Sequence, residues 1–305
     1  MKKGRVIKST GSWYIVNADG QLVHCRLPGR FRLKESDLTN PIAVGDIVDI
    51  TMNDDGTGGI ENIHPRKNYI IRQATHGRRG SHIIASNLDY AFVIQSIQKP
   101  KLNEGFIDRF LVTCEAYNVK PVIVINKMDL AKDSDIRFLA DLSPVYEKLN
   151  YPILLTSIDD EDSLEELKSM LKGNTSAFIG PSGVGKTSLL NTIDPEFHLK
   201  VAAVSESSNK GKHTTTFAQL IELNIGAYLV DTPGIREFGL VNIEPWELSL
   251  FFPEMLEPRK QCRFNTCTHI HEPDCGVAAA YDEGIIDASR YNSYINILES
   301  LEKEK

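Results

Sequence analysis

From about residue 88 the apolar residues fall into short unbroken runs: "LDYAFVIQS", "PVIVIN", "YPILLTS", "SAFIG" and "AYLVD". Between them lie stretches with helical spacing, at 104–118, 134–149 and 162–172. Runs too apolar for a one-sided strand, alternating with amphipathic segments, predict a mostly parallel sheet covered by helices. The first 70 residues obey a different rule. "WYIVNADGQLVHCRL" and "VGDIVDITMNDDGTGGIENI" alternate in polarity, with Asp19-Gly20 and Asp55-Gly56 as turn signals between the runs. Several short strands in so few residues predict a small closed barrel of the OB type; an SH3-like barrel fits nearly as well. After Leu240 the strands stop, and "EPWELSLFFPEM" leads to a cysteine-rich stretch and a helix over "DASRYNSYINILESLEKEK" with Asp287 or Ser289 near its start. The pattern divides the chain into three units, 1–70, 71–240 and 241–305.

The 305 residues are ample for two or three such units. No apolar run is long enough to cross a bilayer, and "MKKGRVIKST" does not lead into a signal-peptide core, so a cytoplasmic protein with no membrane partner is expected. The net charge of -7 argues against wholesale polyanion binding. Only the start is basic: residues 1–72 hold 11 Lys and Arg against 8 Asp and Glu, including Arg26, Arg30, Arg32 and Lys34. Five cysteines are too few for a disulfide scaffold, and Cys262, Cys267 and Cys275 fall so close together that metal is the better explanation.

Three stretches carry nucleotide chemistry. In "AFIGPSGVGKTSLL" a Gly-x-x-x-x-Gly-Lys-Thr motif follows an apolar strand and precedes a helix, the context of a phosphate loop. Gly180, Gly183 and Gly185 allow backbone N–H groups of the loop residues that follow Pro181, Ser182, Val184 and Ser188 among them, to turn onto phosphates. Lys186 neutralises β- and γ-phosphates, and Thr187 holds Mg²⁺. The second stretch is Asn126-Lys127-Met128-Asp129. The Asp129 carboxylate can accept from guanine N1–H and the exocyclic amino group, donors that adenine does not present, while Asn126 braces the loop and the Lys127 stem covers a ring face. The third is "LVDTPG", where Asp231 reaches Mg²⁺ through water and the Gly234 N–H senses the γ-phosphate. Between these, "SNKGKHTTTFAQL" reads as a switch, with Thr215 favoured over Thr214 and Thr216 as the residue closing on Mg²⁺. Thr156-Ser157-Ile158 occupies the place of a guanine O6 loop, with Ser157 its contact.

The order of these stretches is unusual. Ordinary GTPases place the phosphate loop first and the Asn-Lys-x-Asp tetrapeptide late; here the tetrapeptide comes first. A circular permutation explains this, since all these loops project from the carboxyl edge of one sheet whatever the connection order. The chain then leaves the nucleotide domain just after the second switch, so the segment beyond is leashed to that switch. This segment contains "CRFNTCTHIHEPDC": Cys262, Cys267, His269 and Cys275 suit a closed tetrahedral Zn²⁺ site, with His271 as a competing ligand. No residue stands ready to activate water there, so the role is structural.

Taken together these motifs resemble the RsgA (YjeQ) family, circularly permuted GTPases dependent on the small ribosomal subunit, and the likeness spans nearly the whole chain. The resemblance implies an OB barrel at 1–70, a permuted P-loop GTPase domain at 71–240 and a zinc-binding helical domain at 241–305. It also implies a cytoplasmic enzyme, expected to be a monomer, that binds GTP and GDP with Mg²⁺, docks on the 30S subunit and its 16S rRNA late in assembly, and is stimulated by it. The family's zinc ligands map onto Cys262, Cys267, His269 and Cys275. Two other classes fit the residues: an RNA-binding module regulated by GTP without turnover, and a permuted GTPase acting on a protein. Catalysis raises one question. Ile235 stands where many GTPases carry a water-orienting glutamine, and an aliphatic side chain can do neither that nor proton transfer, which makes His213 in "GKHTTT" the candidate substitute beside Lys186 and Thr215.

Overall fold

The computed structural model describes residues 1–10, 13–28, 41–73, 81–198, 218–231, 240 and 243–303. Strands β1 (Lys2–Ser9), β2 (Tyr14–Ala18), β3 (Gln21–Arg26), β4 (Ile47–Met52) and β5 (Gly58–Ile63) build the barrel. Each points alternate residues inward, so Val6, Val16, Val23, Cys25, Val48, Ile50 and Ile60 form a dry core. Antiparallel pairs β1–β2, β2–β3, β4–β5 and β1–β4, with one parallel pair β3–β5, close the ring. That strand order, 1-2-3-5-4-1, decides for the OB type over the SH3-like alternative.

A hairpin, β6 (Tyr69–Gln73) with β7 (Ser81–Ser86), leads to the second unit. Its strands are β8 (Tyr90–Ser96), β9 (Pro121–Asn126), β10 (Ile153–Thr156), β11 (Thr175–Ile179), β12 (Gln219–Glu222) and β13 (Tyr228–Asp231). They lie in the order β10-β9-β8-β11-β13-β12, all parallel except β12. Helices α1 (Glu104–Ala116) and α2 (Asp133–Glu147) cover one face; α3 (Glu161–Leu171) and α4 (Lys186–Ile193) cover the other. The strand pleat supplies both cores: Ala91, Val93, Ile123 and Ile125 face the first, Phe92, Ile94, Val122 and Val124 the second. The helices end a little earlier than their spacing suggests. Asn118 and Asn150 take left-handed backbones that stop α1 and α2, while Asp160 caps the start of α3 through the N–H groups of Asp162 and Ser163.

Barrel and GTPase-like sheet are joined by backbone. β1 pairs with β12, Lys8 opposite Gln219, which makes one continuous eleven-stranded sheet. Around that seam Arg5 donates to the Thr175 hydroxyl and lies over the Tyr228 ring, and Arg66 forks onto buried Asp46, which also accepts from Ser86.

The last unit consists of 3₁₀ segments at Pro245–Phe251, Pro253–Met255 and Pro258–Gln261, then α5 (Gly276–Asp282) and α6 (Ala288–Lys303), with Asp287 accepting from the Ser289 N–H at its start. Its core of Leu248, Phe252, Met255, Tyr294, Ile297 and Leu298 takes in Val112 of α1. One ion network locks the two units: Arg290 of α6, 1% exposed, bonds Asp108 of α1 at 2.6 Å and Glu254 at 2.7 Å, with its guanidinium 4.7 Å from the Phe252 ring centre. Tyr146 of α2 also donates to Asp108. Removing the cation alone strands two buried carboxylates. Arg290→Ala is therefore expected to cost about 3–5 kcal/mol in equilibrium urea unfolding. A loss near the value of a surface pair, below about 1 kcal/mol, would show that the network does not hold the units together.

Candidate functional site

The phosphate-loop segment runs between β11 and α4. Gly183 and Gly185 have φ of +85° and +98°, a region that favours glycine. A side chain at Gly180 would overlap the Ile94 carbonyl oxygen, and one at Gly185 would overlap the Asn126 amide. The loop is thus wrapped tightly on the ends of β8 and β9. Lys186 spans its mouth and donates to the carbonyls of Gly180 and Pro181 at 2.7 Å each. Val184 is buried as the loop's anchor, whereas Ser182, Thr187 and Ser188 are exposed.

The Asn-Lys-x-Asp segment meets this loop directly. Asn126, buried at the end of β9, donates from Nδ2 to the Val184 carbonyl at 2.9 Å and accepts at Oδ1 from the Thr156 hydroxyl at 3.1 Å. Lys127, with φ +63°, sends its Nζ to the carbonyls of Gly183 and Lys99 at 2.5 Å each, so its amine ties the loops together. Met128 turns inward against the core, while Asp129 remains exposed and accepts from the Ser157 hydroxyl at 2.8 Å. Side chains of three loops and the Lys99 carbonyl of a fourth therefore converge at one edge of the sheet.

Two contacts escape a reading of the sequence. Thr156, which the sequence places only in a candidate O6 loop, sits directly beside Asn126 in the parallel register of β9 and β10, a placement the strand pairing reveals. The loop after β8 supplies the Lys99 carbonyl and is tied to α2 by Gln98, which donates to both Asp135 oxygens at 3.0 Å. Asp231 ends β13. His213, Thr214, Thr215, Thr216, Gly234 and Ile235 lie outside the described residues, as do Arg30, Arg32 and Lys34.

The second cluster, Cys262, Cys267, His269 and Cys275, is a candidate metal site whose donor atoms all lie within 4.8 Å of one another. Two sulfurs held about 2.3 Å from a tetrahedral ion stand about 3.8 Å apart, and a sulfur and an imidazole nitrogen about 3.5 Å. The Sγ atoms of Cys262 and Cys267 lie 3.9 and 3.7 Å from that of Cys275, and His269 Nδ1 lies 3.5 and 3.4 Å from the Cys262 and Cys275 sulfurs. The donor set fits such an ion. His271 is exposed and takes no part.

Local electrostatics prepare the donors. Burial pushes His269 down to about 4, which keeps it neutral, and pushes the Cys267 thiol up to about 12 and Cys275 in the same direction. Neither thiol ionises near neutral pH without a cation. Glu272 shapes the turn that presents His269: burial alone would raise its pKa, but hydrogen bonds from Thr268 and Ile270 pull it down to about 2. Tyr291 and Tyr294 of α6 hold the same turn through the carbonyls of His269 and Thr268.

Cys267→Ala is expected to lose the metal and to loosen the 243–303 unit while nucleotide affinity survives; elemental analysis of the pure variant checks this, and a stoichiometric metal content would refute it. Because three thiols give up protons on ligation, metal uptake at pH 7 should release about three protons per ion, and affinity should fall as pH is lowered. Calorimetry in buffers of different ionisation enthalpy measures the proton count. For Glu272 the sign is the usual carboxylate one. Its contribution to stability is complete above about 4.5, the ordinary carboxyl range, and fades as pH falls toward about 2.

The comparisons with known proteins agree along the chain. The family model described as RsgA GTPase matches residues 63–241, and that described as RsgA N-terminal domain matches residues 3–60. A curated relative from Flavobacterium johnsoniae, named small ribosomal subunit biogenesis GTPase RsgA, is 45% identical over 304 residues, covering 98% of this chain and 94% of its own. A relative of the same name from Phocaeicola vulgatus is 44% identical, covering 99% and 98%. Among solved structures, YjeQ from Thermotoga maritima superimposes with a TM-score of 0.78 at 36% identity over 98% of both chains. YloQ, described as a circularly permuted GTPase, gives 0.76 at 30% identity over 100% of this chain and 96% of its own. The permuted motif order, the barrel and the four-ligand cluster thus meet in one lineage: the chain belongs to the RsgA family of GTP-hydrolysing enzymes.

Proposed function

We propose that this GTPase acts in the biogenesis of the small ribosomal subunit, docking on the 30S particle and its 16S rRNA and hydrolysing GTP in response. The observation that carries the nucleotide part is the convergence at Asn126, which makes the phosphate loop and the base-reading loop one rigid receptor. In this reading Gly180, Pro181, Ser182, Gly183, Val184, Gly185, Lys186, Thr187 and Ser188 enclose the phosphates, as a loop and helix N-terminus do for anions. Asp129, held by Ser157, reads the guanine edge. Asn126 and Lys127 support that loop from below, and Met128 contributes through its backbone. Thr187, Thr215 and Asp231 are the magnesium partners, and Gly234 the γ-phosphate sensor. Mg²⁺ supplies charge neutralisation at the phosphates when bound.

Zinc is the ion assigned to Cys262, Cys267, His269 and Cys275, because three thiolates and an imidazole in a closed tetrahedron are its preferred structural set. The division into 1–70, 71–240 and 241–305 assigns rRNA contact to the barrel, the nucleotide cycle to the middle unit, and a second rRNA-facing arm to the last. Exposed Arg26 stacked 4.0 Å over Trp13 supports the first, and Arg263 beside half-exposed Phe264 the last, since such cation-aromatic pairs suit bases and phosphates. No described helix is long and apolar enough to cross a membrane; a monomeric cytoplasmic protein completes the proposal.

GTP turnover measured alone, with 30S and with 50S subunits tests the reading: stimulation by 30S alone is expected, and equal rates in all three would overturn it. Asp129→Asn should exchange a preference for GTP for one for xanthosine triphosphate, whose 2-oxo group accepts from the new amide; an unchanged preference in competition binding would remove Asp129 from the base contact. His213→Ala should keep GTP and 30S binding but lose the stimulated rate by roughly 10²-fold, as expected if the imidazole positions the attacking water. Single-turnover hydrolysis at saturating 30S decides this; a rate equal to the parent's would make His213 a bystander.

A further inference from the structure

The candidate metal site of the last unit is not sealed on every side. A cleft of about 280 Å³ opens onto it, lined by Cys262, Cys267 and His269 together with Arg259 and Lys260. The two basic residues belong to the 3₁₀ segment Pro258–Gln261, which is tied to both ends of the ligand set. At one end the Cys262 N–H donates to the Arg259 carbonyl at 3.1 Å. At the other, Gly276 follows Cys275 and packs so closely that a Cβ there would overlap the Pro258 carbonyl oxygen and stand 2.8 Å from the Gln261 Cβ. The backbone that carries Arg259 is thereby fixed beside the donors.

Charge gives this placement a consequence. Empty, the site holds neutral thiols and a neutral imidazole; loaded, three thiolates and an imidazole on a divalent ion carry one net negative charge. Glu272, in the turn that presents His269, adds another. Of the basic side chains nearby, Lys260 is paired with Glu257 at 2.6 Å and Arg263 with Asp274 at 3.4 Å. Arg259 has no such partner: it is half-buried, and among the described residues its guanidinium makes neither an ion pair nor a hydrogen bond. A partly desolvated cation is costly unless an anion stands near. Burial is the main reason that His269 stays neutral, and the Arg259 charge adds to it, so that charge lies within electrostatic reach of the ligand set. A phosphate from solvent is a poorer occupant of the cleft, because the thiolates of a loaded site repel a second anion there.

We propose that Arg259 is the counter-cation of the metal site, a positioning residue whose guanidinium faces the thiolates of Cys262 and Cys267 once the ion is bound. A fixed positive charge favours the loaded site, which is anionic, over the empty one, which is neutral, and N–H donors to the sulfurs hold them in the geometry the ion needs. This rests on the zinc reading and extends it, since affinity for the ion is then set by a residue outside the four donors.

The test uses the full chain with Zn²⁺ and a chromogenic chelator competing for the ion at pH 7. Arg259→Met keeps an unbranched stem and removes the charge; its zinc affinity is expected to fall about 10-fold or more. Arg259→Lys keeps the charge and should recover most of that loss, a rescue that packing alone would not give. Where the Met variant folds poorly, Arg259→Gln makes the same comparison with Lys. An affinity in the uncharged variants within about threefold of the parent's overturns the proposal, and so does a Lys variant as weak as the Met one. Parent-like zinc affinity with weakened 30S binding would also overturn it and make Arg259 an RNA contact. A parent chain that takes up no zinc would instead overturn the zinc reading itself.

Discussion

Gly185 approaches Asn126 so closely that no side chain fits between them, and the contact is completed by two hydrogen bonds from one buried carboxamide, to Val184 and from Thr156. An asparagine is suited to this because its amide offers a donor and an acceptor on one rigid plane. Through it the ends of β9, β10 and β11 are held in a fixed relation, and Lys127 repeats the tie through Gly183 and Lys99. A receptor for a whole nucleotide needs the phosphate and base sites at a constant separation. Here that separation is set by contacts between the loops themselves, and such fixed geometry lowers the ordering cost of binding.

The permutation leaves this receptor intact and changes what is attached to it. The loops keep their places because the sheet order keeps its own, whatever the order of connection. The chain's first strand instead extends the sheet at β12, and its last helix sends Arg290 beneath α1. Both appended units thereby grip the nucleotide domain at different points, the barrel at β12 and the unit with the Cys3His cluster at the far side of α1. Under the proposed function such attachments would be of use, since a local change at a nucleotide site can be carried to surfaces far from it.

Much of this was written in local pattern. Alternating runs around Asp19-Gly20 and Asp55-Gly56 foretold barrel hairpins, and "AFIGPSGVGKTSLL" foretold strand, loop and helix in register. What stayed hidden depends on contacts between distant residues. The parallel pairing of β3 with β5 decides the barrel type but leaves no mark in either strand alone. Thr156 and the Lys99 carbonyl join the site only through neighbours in space. The strut that the Lys127 amine makes between loops is a further use of that residue, and it needs the cross-loop carbonyls to be known. Arg290 reads as one more charge on a polar helix, and only packing shows it to be buried among carboxylates and rings. Between His269 and His271 the choice rests on a backbone turn: the left-handed φ of +63° at His269 and the Glu272 hydrogen bonds aim that ring inward.

The direct test of a single clamp at Asn126 is nucleotide affinity in Asn126→Asp, which keeps the shape but replaces the donor facing the Val184 carbonyl with an acceptor. If the carboxamide holds both halves of the receptor together, affinity for GTP, GDP and xanthosine triphosphate should fall in parallel by about 10–100-fold, the cost of an opposed buried pair. The sheet itself should stay folded by circular dichroism. Affinities within about threefold of the parent, well under the cost of one lost buried hydrogen bond, or a loss confined to guanine nucleotides, would contradict the account.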